Sequence, residues 1–467
     1  MLARPQSSSL TSSAREHLPC SDLSGGDAVN TPKTRYVKSG DGHLAYQVCG
    51  EGPIDLVYLA AWASHLEENW KFPSFARLAR SLASFSRLIV FDLRGTGLSD
   101  PVAISDMTSL ERWMDETLVV LDAVGSERAA LIGAGGGGHL AALFAATHPD
   151  RATALVLHRT AARFTSAPDY PWGLAPQLVP GYLDQVEREW GTGSWFARNL
   201  DLRGVQPEMR EQLARLERYV SGPSTWWAAM RMALESDIRG VLSSIAVPTL
   251  VAHQVGDTFT PVEHSNYLSE HIPGARLVEV PPLLADPEAI AGAFAEFLTG
   301  APQALPSDRV LATVLFTDIV DSTQRATAVG DRRWHEILDA YDAAAARALG
   351  EFRGRQVKTT GDGTLATFDG PARAIRCATA LSDAVQELDL QIRAGLHTGE
   401  IETRGEDIAG IAVHVGQRIS SLAGAGEVLV SRTVKDLVAG SGLAFTDRGS
   451  HALKGIPDEW QVYSVER

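Results

Sequence analysis

The sequence contains little cysteine. Only Cys20, Cys49 and Cys377 occur, and their spacing is not that of metal ligands. An odd number of scattered thiols argues against a disulfide framework and indicates a reducing, cytosolic compartment. Long apolar runs are absent as well, since none approaches the roughly 18 residues that span a bilayer. Residues 1–33 are rich in Ser, Thr, Asp and Gly and lack an apolar core, so we predict a disordered segment and no signal peptide.

Positive charge is also scarce. The chain has 42 Lys and Arg against 57 Asp and Glu, which gives a formal net charge of -15. Because no block of basic residues compensates, a nucleic acid or an anionic membrane is disfavoured as a partner. A nucleotide site in such a chain must supply its own local positive charge and metal. The apolar content of 45% is ordinary for a globular protein, and 467 residues allow two or three domains.

The chain divides into two predicted domains. From residue 34 to 298, short β-rich runs alternate with helical stretches, the pattern of a parallel α/β sheet. The tryptophan-rich stretch Phe164–Ile238 interrupts this alternation and is predicted to form a helical cap over the sheet. Residues 299–308 contain two prolines and a glycine and are predicted to be a linker. Residues 309–467 follow the order of an α+β sandwich built on a β-α-β-β-α-β core.

Two aspartates carry the most chemical information in the second domain. Asp318 lies near the end of a predicted strand, Val310–Val320, and Asp362 lies in a glycine-flanked turn before another apolar run. Carboxylates at the ends of adjacent strands are the hard oxygen ligands that Mg²⁺ or Mn²⁺ needs when it holds a polyphosphate. A predicted helix start at Ser322 and Thr323 would direct free backbone N–H groups at phosphate oxygens. These features indicate nucleotide chemistry.

Several motifs of this half occur in the order found in one enzyme family. They are Phe316-Thr317-Asp318-Ile319, Lys358-Thr359-Thr360-Gly361-Asp362-Gly363, Gly395-Leu396-His397-Thr398-Gly399-Glu400 and Asp407-Ile408-Ala409-Gly410 with Arg418. Together they resemble the class III nucleotidyl cyclase domain over about residues 310–466. The resemblance implies a ferredoxin-like fold and a head-to-tail homodimer with two shared active sites. The expected architecture is therefore an α/β-hydrolase-like parallel sheet with a helical cap, followed by an α+β ferredoxin-like class III cyclase domain.

The same resemblance implies a role for each site residue. One protomer would supply Asp318, Asp362 and Ile319 to two Mg²⁺ or Mn²⁺ ions per active site, with Ser322 and Thr323 near the phosphates. The other protomer would read the purine with Lys358 and Asp407. Arg418 would stabilise phosphate charge in the transition state, and Lys454 would bind the triphosphate.

The expected base is adenine. Adenine offers N1 as an acceptor and its amino group as a donor, so the donor Lys358 and the acceptor Asp407 complement it. Guanine reverses both groups, and a mispaired buried group costs about 1–3 kcal/mol. ATP is therefore the expected substrate and 3′,5′-cyclic AMP the expected product. One position departs from the family, because His414 replaces a common asparagine. His414 and Arg418, four residues apart, are predicted to share a helix face.

The first half resembles the α/β-hydrolase fold over about residues 34–298, but without its nucleophile. Asp92-Leu93-Arg94-Gly95-Thr96-Gly97 follows a predicted strand, and Asp257 occupies the position of the family's acid. The family's G-x-S-x-G turn places a serine where this chain has Gly135. No histidine follows the last predicted strand of this half, Arg276–Val280. Because loss of such a serine costs on the order of 10⁶ in rate, we predict a pseudo-hydrolase that senses or scaffolds.

Three functional alternatives remain at this point. The first is an adenylate cyclase whose pseudo-hydrolase domain holds a small apolar or ester-like ligand under the cap. The second is a signalling module that binds nucleotide without turnover, for which His414 is the main support. The third is an esterase or lipase with a passenger cyclase domain, which Gly135 opposes. The combined arrangement resembles actinobacterial fusions of a hydrolase-like domain with a cyclase.

Overall fold

The computed structural model describes residues 31–60, 64–104, 110–199, 206–300, 309–359, 361–404, 407–457 and 459–466. Within these residues the chain forms two eight-stranded sheets, one in each half. Almost all of the predicted disordered segment 1–33, and residues 301–308 of the predicted linker, lie outside the described residues. The first two residues of that linker, Thr299 and Gly300, are helical and end α9. No described helix combines the length and the apolar character that crossing a bilayer requires.

The N-terminal half is built on a sheet in the order β1-β2-β4-β3-β5-β6-β7-β8. Strands β3 to β8 run parallel, while β1 and β2 pair antiparallel at one edge. The parallel strands are mostly apolar because helices cover both faces, as is typical of such sheets. The strands are β1 Arg35–Ser39, β2 Gly42–Cys49, β3 Ile54–Leu59, β4 Ser86–Phe91, β5 Ala129–Ala134, β6 Ala152–His158, β7 Thr249–Gln254 and β8 Arg276–Val280.

Helices pack on both faces of this sheet, and four of them form the predicted cap. The cap consists of α4 to α7 and lies between β6 and β7 in the chain, where the alternation of strands and helices is interrupted. The predicted α/β architecture with a helical insertion is therefore confirmed. The helices of this half are α1 Pro73–Ala83, α2 Leu110–Ala123, α3 Gly137–Thr147, α4 Val179–Glu189, α5 Ser194–Asn199, α6 Pro207–Val220, α7 Pro223–Glu235, α8 Val262–His271 and α9 Pro287–Gly300.

The C-terminal half has a mixed sheet in the order β10-β11-β9-β12-β14-β16-β15, and β13 pairs with β12. The central strands β9 and β12 pair antiparallel along nearly their whole length. The α+β class predicted for this half is confirmed. Its strands are β9 Arg309–Ile319, β10 Arg355–Thr359, β11 Gly363–Phe368, β12 Ile392–Arg404, β13 Asp407–Ala409, β14 Val428–Ser431, β15 Phe445–Ala452 and β16 Glu459–Val465.

Helices cover the two faces of the second sheet unequally. Helices α11, α12 and α14 pack with one large core on one face, while α13 packs on the other. Helix α13 approaches the sheet closely because Gly395 lacks a side chain: a Cβ at this position would lie 2.1 Å from the backbone nitrogen of Ser420. The helices of this half are α10 Ser322–Val329, α11 Asp331–Glu351, α12 Pro371–Ala384, α13 Ile411–Leu422 and α14 Arg432–Leu437.

The two halves are joined by a buried junction. The Glu111 carboxylate, on α2, accepts hydrogen bonds from the backbone N–H groups of Ala372 (2.5 Å) and Arg373 (3.3 Å) at the start of α12. Burial raises the pKa of Glu111 to about 7, although the helix N–H groups and Arg373 oppose that shift. Leu311 and Leu437 of the C-terminal half belong to the main core cluster of the N-terminal half. Each half therefore completes part of the other's buried surface.

Candidate active site

The two predicted metal ligands lie at the same end of two neighbouring strands, β9 and β11, of the second sheet. Asp318, near the end of β9, pairs in register with Gly363, the residue that follows Asp362. The Ile319 N–H donates to the Asp362 carbonyl oxygen over 3.0 Å and fixes the turn against β9. Burial raises the pKa of Asp318, and the neighbouring Asp362 carboxylate adds to that effect. Two carboxylates held this close repel each other, and a divalent cation between them would relieve the repulsion.

Both acids already have polar partners in the chain. Arg393, on β12 directly opposite Asp318, donates from Nε to Asp318 Oδ2 over 2.8 Å, and its Nη2 donates to the same oxygen. Ser322 Oγ donates to Asp362 Oδ2 at the start of α10. Sequence analysis missed Arg393. No local signal indicated it, because the contact depends on the pairing of β12 with β9.

These residues suit a hard divalent cation only in combination with a substrate. Among the described residues, no three His, Cys, Asp or Glu side chains gather into a metal-binding group. The Ile319 side chain is buried in the core, so only its backbone carbonyl oxygen is available as a ligand. Two carboxylates and one carbonyl leave coordination positions that phosphate oxygens and water would fill, as is usual for Mg²⁺. Ser322 is half-buried beside these strand ends, and Thr323 is exposed.

The predicted purine-reading residues form an ion pair. Lys358 Nζ on β10 lies 2.8 Å from Oδ1 and 3.0 Å from Oδ2 of Asp407 on β13. Both side chains are about half exposed, at 50% and 56%, and face solvent. The hydrogen bond from Lys358 lowers the pKa of Asp407. The structure thus brings together two residues that lie 49 positions apart in the sequence, and both remain accessible to a ligand.

The other predicted residues lie on α13 and beyond β15. His414 is exposed and Arg418 half-buried, both on α13 as the spacing predicted. Lys454 is exposed just after β15, the strand at one edge of the sheet. Because β15 lies four strands from β9, Lys454 is about 19 Å across the sheet from the acid pair, taking about 4.8 Å per strand. The structure does not bring Lys454 together with Asp318 and Asp362 of the same chain.

The first half retains the shape of a nucleophile turn without the nucleophile. Gly135 follows β5 and precedes α3, and its φ of 55° lies in the left-handed region. A Cβ placed on Gly135 would meet no atom within 4 Å, so the position has room for a side chain that it lacks. The turn therefore keeps the strained strand-to-helix geometry of G-x-S-x-G sites.

The predicted acid of this degenerate site has a different partner. Arg159 Nε donates to Asp257 Oδ2 over 2.7 Å, and the Asp257 side chain is only 2% exposed. Burial opposes ionisation of Asp257, but Arg159 and the Thr260 hydroxyl outweigh it and lower the Asp257 pKa. Sequence analysis missed Arg159, which directly follows β6. The carboxyl ends of parallel strands are where α/β sheets bind ligands, so its position could have indicated it.

A cavity of about 240 Å³ lies between this turn and the cap. Aromatic and aliphatic side chains form most of its wall, including Phe164, Trp195 and Trp226. Leu283 and Leu284, from the loop after β8, line it where the resembled family places its histidine. A concave, mostly apolar cavity with a few polar groups is the usual form of a small-molecule site.

Comparisons with known proteins agree with the division of the chain into two halves of different fold. Residues 59–283 match the family model described as alpha/beta hydrolase fold, and residues 306–467 match the Adenylate and Guanylate cyclase catalytic domain. A Pimeloyl-[acyl-carrier protein] methyl ester esterase of Nitrosomonas europaea is 28% identical over 258 residues, covering 53% of this chain and 96% of the relative. An esterase structure from Exiguobacterium antarcticum covers 57% of this chain and 99% of its own, with a TM-score of 0.50 and 20% identity. At that identity the match shows the fold alone.

The C-terminal half is similar to a different protein. "Putative adenylate cyclase 3" of Rhizobium meliloti is 32% identical over 133 residues, or 27% of this chain. The match spans 22% of that relative's length, so it concerns one domain of a longer protein. The matching family model covers both adenylate and guanylate cyclases, so the family alone leaves the nucleotide open.

Proposed function

Because this chain belongs to the α/β-hydrolase fold family over residues 59–283 and to the adenylate and guanylate cyclase catalytic domain family over residues 306–467, we propose that it is a homodimeric adenylate cyclase. It converts ATP to 3′,5′-cyclic AMP and pyrophosphate. The N-terminal half is a non-hydrolytic sensor or scaffold. The observation that carries the proposal is the close pair Asp318 and Asp362 at the ends of neighbouring strands, beside the start of a helix.

Each site residue has a distinct task in this reaction. Asp318, Asp362 and the Ile319 carbonyl oxygen would hold two Mg²⁺ or Mn²⁺ ions, which would supply Lewis-acid activation of the ribose 3′ hydroxyl and charge neutralisation of the triphosphate. Ser322, Thr323 and the free N–H groups at the start of α10 hold phosphate oxygens. Arg418 stabilises charge that develops at the α-phosphate, Lys454 binds the triphosphate, and His414 orients the ribose.

The ion pair of Lys358 and Asp407 supports adenine as the base. Adenine would accept a hydrogen bond at N1 from Lys358 and donate its amino group to Asp407. The two side chains are 2.8 Å apart, so one donor and one acceptor already lie side by side, and adenine would exchange their direct contact for one hydrogen bond to each. Guanine would leave both groups mispaired, at about 1–3 kcal/mol each.

The position of Lys454 supports a site shared between two copies. A lysine side chain cannot reach across the roughly 19 Å between β15 and β9. A second copy in head-to-tail orientation would bring its Lys454 and Arg418 to the acid pair. The N-terminal half contacts α12 and the core on the opposite face from α13, so the α13 face stays accessible for that contact.

The sensor or scaffold role rests on the degenerate turn. Gly135 provides no nucleophile, and the acid Asp257 is engaged by Arg159. An esterase is the competing function for this half, in line with the named activity of its relatives. Hydrolysis of p-nitrophenyl butyrate that is lost in Asp257→Ala would favour the esterase.

A direct assay tests the cyclase. Purified full-length protein is incubated with ATP or GTP in Mg²⁺ or Mn²⁺, and the cyclic products are measured. We expect cyclic AMP from the wild type, its loss by at least about 100-fold in Asp318→Asn, and normal activity in Asp339→Asn, an exposed acid on α11. Binding of ATP without any cyclic product would overturn the proposal in favour of the non-catalytic signalling module.

A further inference from the structure

A buried tyrosine of α11 lies behind the strand ends that carry the two acids. Tyr341 is 1% exposed and belongs to the core cluster on the α11 side of the second sheet. Leu315 and Ile319 of β9 belong to the same cluster. Because side chains alternate along a strand, Asp318 lies on the opposite face of β9 from these two residues. Tyr341 therefore approaches the candidate metal site from behind and can act on it only through other residues.

The Tyr341 hydroxyl lies between two threonines, one on each acid-bearing strand. Its oxygen lies 2.7 Å from Thr317 Oγ1 on β9 and 3.4 Å from Thr364 Oγ1 on β11. Thr317 directly precedes Asp318 in the chain. Thr364 follows Asp362 by two residues and pairs in register with Thr317. These three side chains, here called the hydroxyl cluster, thus meet where the two strands join.

The hydroxyl cluster also links the two strands to each other. Thr317 Oγ1 accepts a hydrogen bond from the Thr364 N–H over 3.2 Å and lies 3.5 Å from the Thr364 carbonyl oxygen. Both threonines are buried, as Tyr341 is. Polar groups that satisfy one another in a core favour one arrangement of the elements that carry them, because another arrangement leaves a costly unpaired group.

The residues beside Asp362 show why such an anchor matters. Asp362 lies between Gly361 and Gly363, which have no side chains to pack, and Gly361 has a φ of 91°. Thr364 is the first residue after Asp362 with a side chain held in the core. A shift of Thr364 would therefore change the distance between Asp362 and Asp318.

We propose that Tyr341 is a positioning residue: through the hydroxyl cluster, it holds Asp318 and Asp362 at the separation that binds a divalent ion. Its importance for turnover rests on the proposed cyclase function, whereas its effect on ion binding does not. A displacement of about 1 Å in an active site can cost on the order of 100-fold in rate. The competing interpretation is that the three hydroxyls only stabilise the fold.

Removal of one hydroxyl separates the two interpretations. On the full-length chain without nucleotide, Tyr341→Phe should bind Mn²⁺ at least about fivefold more weakly than the wild type in titration calorimetry, because one buried hydrogen bond is lost. Tyr170, in the N-terminal half, is also buried, and its hydroxyl lies 2.6 Å from His264 Nδ1. Tyr170→Phe should therefore bind Mn²⁺ as the wild type does. Unchanged affinity in Tyr341→Phe, or an equal loss in Tyr170→Phe, would overturn the positioning role.

A second set of variants tests the link on β9. Thr317→Val removes the hydroxyl and keeps the shape, so it should weaken Mn²⁺ binding as Tyr341→Phe does. Thr317→Ser keeps the hydroxyl and should retain most of the affinity. Thr313, four residues earlier on the same face of β9, lies in a buried hydroxyl pair with Thr398 at 2.7 Å. Thr313→Val should lose stability in urea unfolding without losing Mn²⁺ affinity. Equal Mn²⁺ loss in Thr317→Ser or in Thr313→Val would contradict the assignment.

The double variant Tyr341→Phe/Thr317→Val tests whether the two residues act along one path. It should lose no more Mn²⁺ affinity than the weaker-binding single variant, because residues that share an interaction are not additive. A loss equal to the product of the two single losses would show independent action and overturn the shared path. A wild type that binds no Mn²⁺ would overturn the metal site together with this role. Expected Mn²⁺ results without cyclic AMP from ATP would overturn only the proposed cyclase.

Discussion

Arg393 Nε donates to Asp318 Oδ2 over 2.8 Å, so the chain's own guanidinium occupies the carboxylate on which metal binding is proposed to depend. A metal ion must compete with this ion pair. A charge-assisted hydrogen bond of this kind contributes about 1.5–3 kcal/mol. Arg393 and a bound metal ion would therefore compete for Asp318 Oδ2.

The first prediction concerns that competition. Without nucleotide, Arg393→Gln should bind Mn²⁺ about tenfold more tightly at pH 8, because removing a competitor worth about 1.5 kcal/mol shifts affinity by that factor. Titration calorimetry measures it, with Arg376→Gln, an exposed arginine on α12, as the control. Since burial and Asp362 raise the pKa of Asp318, Mn²⁺ affinity should fall as pH decreases through that raised pKa. Weaker binding in Arg393→Gln would contradict the competition.

A second prediction concerns the base. Asp407→Ala should reduce the preference for ATP over GTP by about 10-fold to 150-fold, because adenine loses the acceptor for its amino group. Ratios of kcat/KM for the two nucleotides provide the measure. Glu402→Ala, on the neighbouring strand β12, should leave the ratio unchanged. An unaltered ratio in Asp407→Ala would show that the base is read elsewhere.

A third prediction tests the shared site. Asp362→Ala and Arg418→Ala should each be inactive, and an equal mixture should recover about a quarter of the wild-type activity. Half of the dimers in the mixture are then heterodimers, each with one intact site of two. Mixing Asp318→Ala with Asp362→Ala should recover nothing, because both changes fall on the same half-site. If heterodimers form and the first mixture stays inactive, the two-copy site is wrong.

A fourth prediction concerns the degenerate turn. Gly135→Ser should not hydrolyse p-nitrophenyl butyrate above the wild type, since Asp257 is held by Arg159 and leucines occupy the expected histidine position. It should also lower the free energy of unfolding by about 1–2 kcal/mol, because a φ of 55° is unfavourable for a residue with a side chain. Gly181→Ser, at an equally open position without positive φ, should avoid that strain. Measurable ester hydrolysis by the Gly135→Ser protein would refute this reading of the site.

A fifth prediction concerns the junction. The Glu111 pKa is raised by burial from 4.5 to about 7, so the folded state binds a proton more readily than the unfolded state in that range. This carboxyl therefore makes the protein less stable as pH rises from about 4.5 to 7. Glu111→Gln should remove that slope. The free energy of unfolding of the variant should therefore rise relative to that of the wild type by on the order of 3 kcal/mol as pH goes from about 4.5 to 7. Urea unfolding at several pH values tests it, with the exposed Glu127→Gln expected to show no such gain.

Local pattern was sufficient to predict both folds, and it placed the candidate metal ligands near strand ends. Asp318 and Asp362 follow or precede apolar runs, so their position at strand ends was readable from the sequence. Arg393 and Arg159 were missed because their roles depend on strand pairing and on strand order, which a single strand does not reveal. The Glu111 contact with α12 joins residues more than 250 positions apart, and no local signal predicts it.

The junction also limits how this protein can be studied in parts. A catalytic fragment cut at residue 309 would lose the carboxylate that satisfies the first amides of α12 and would expose Leu311 and Leu437 to water. Rates measured on such a fragment would describe a molecule with newly exposed apolar surface and unpaired amides, which the N-terminal half covers in the whole chain.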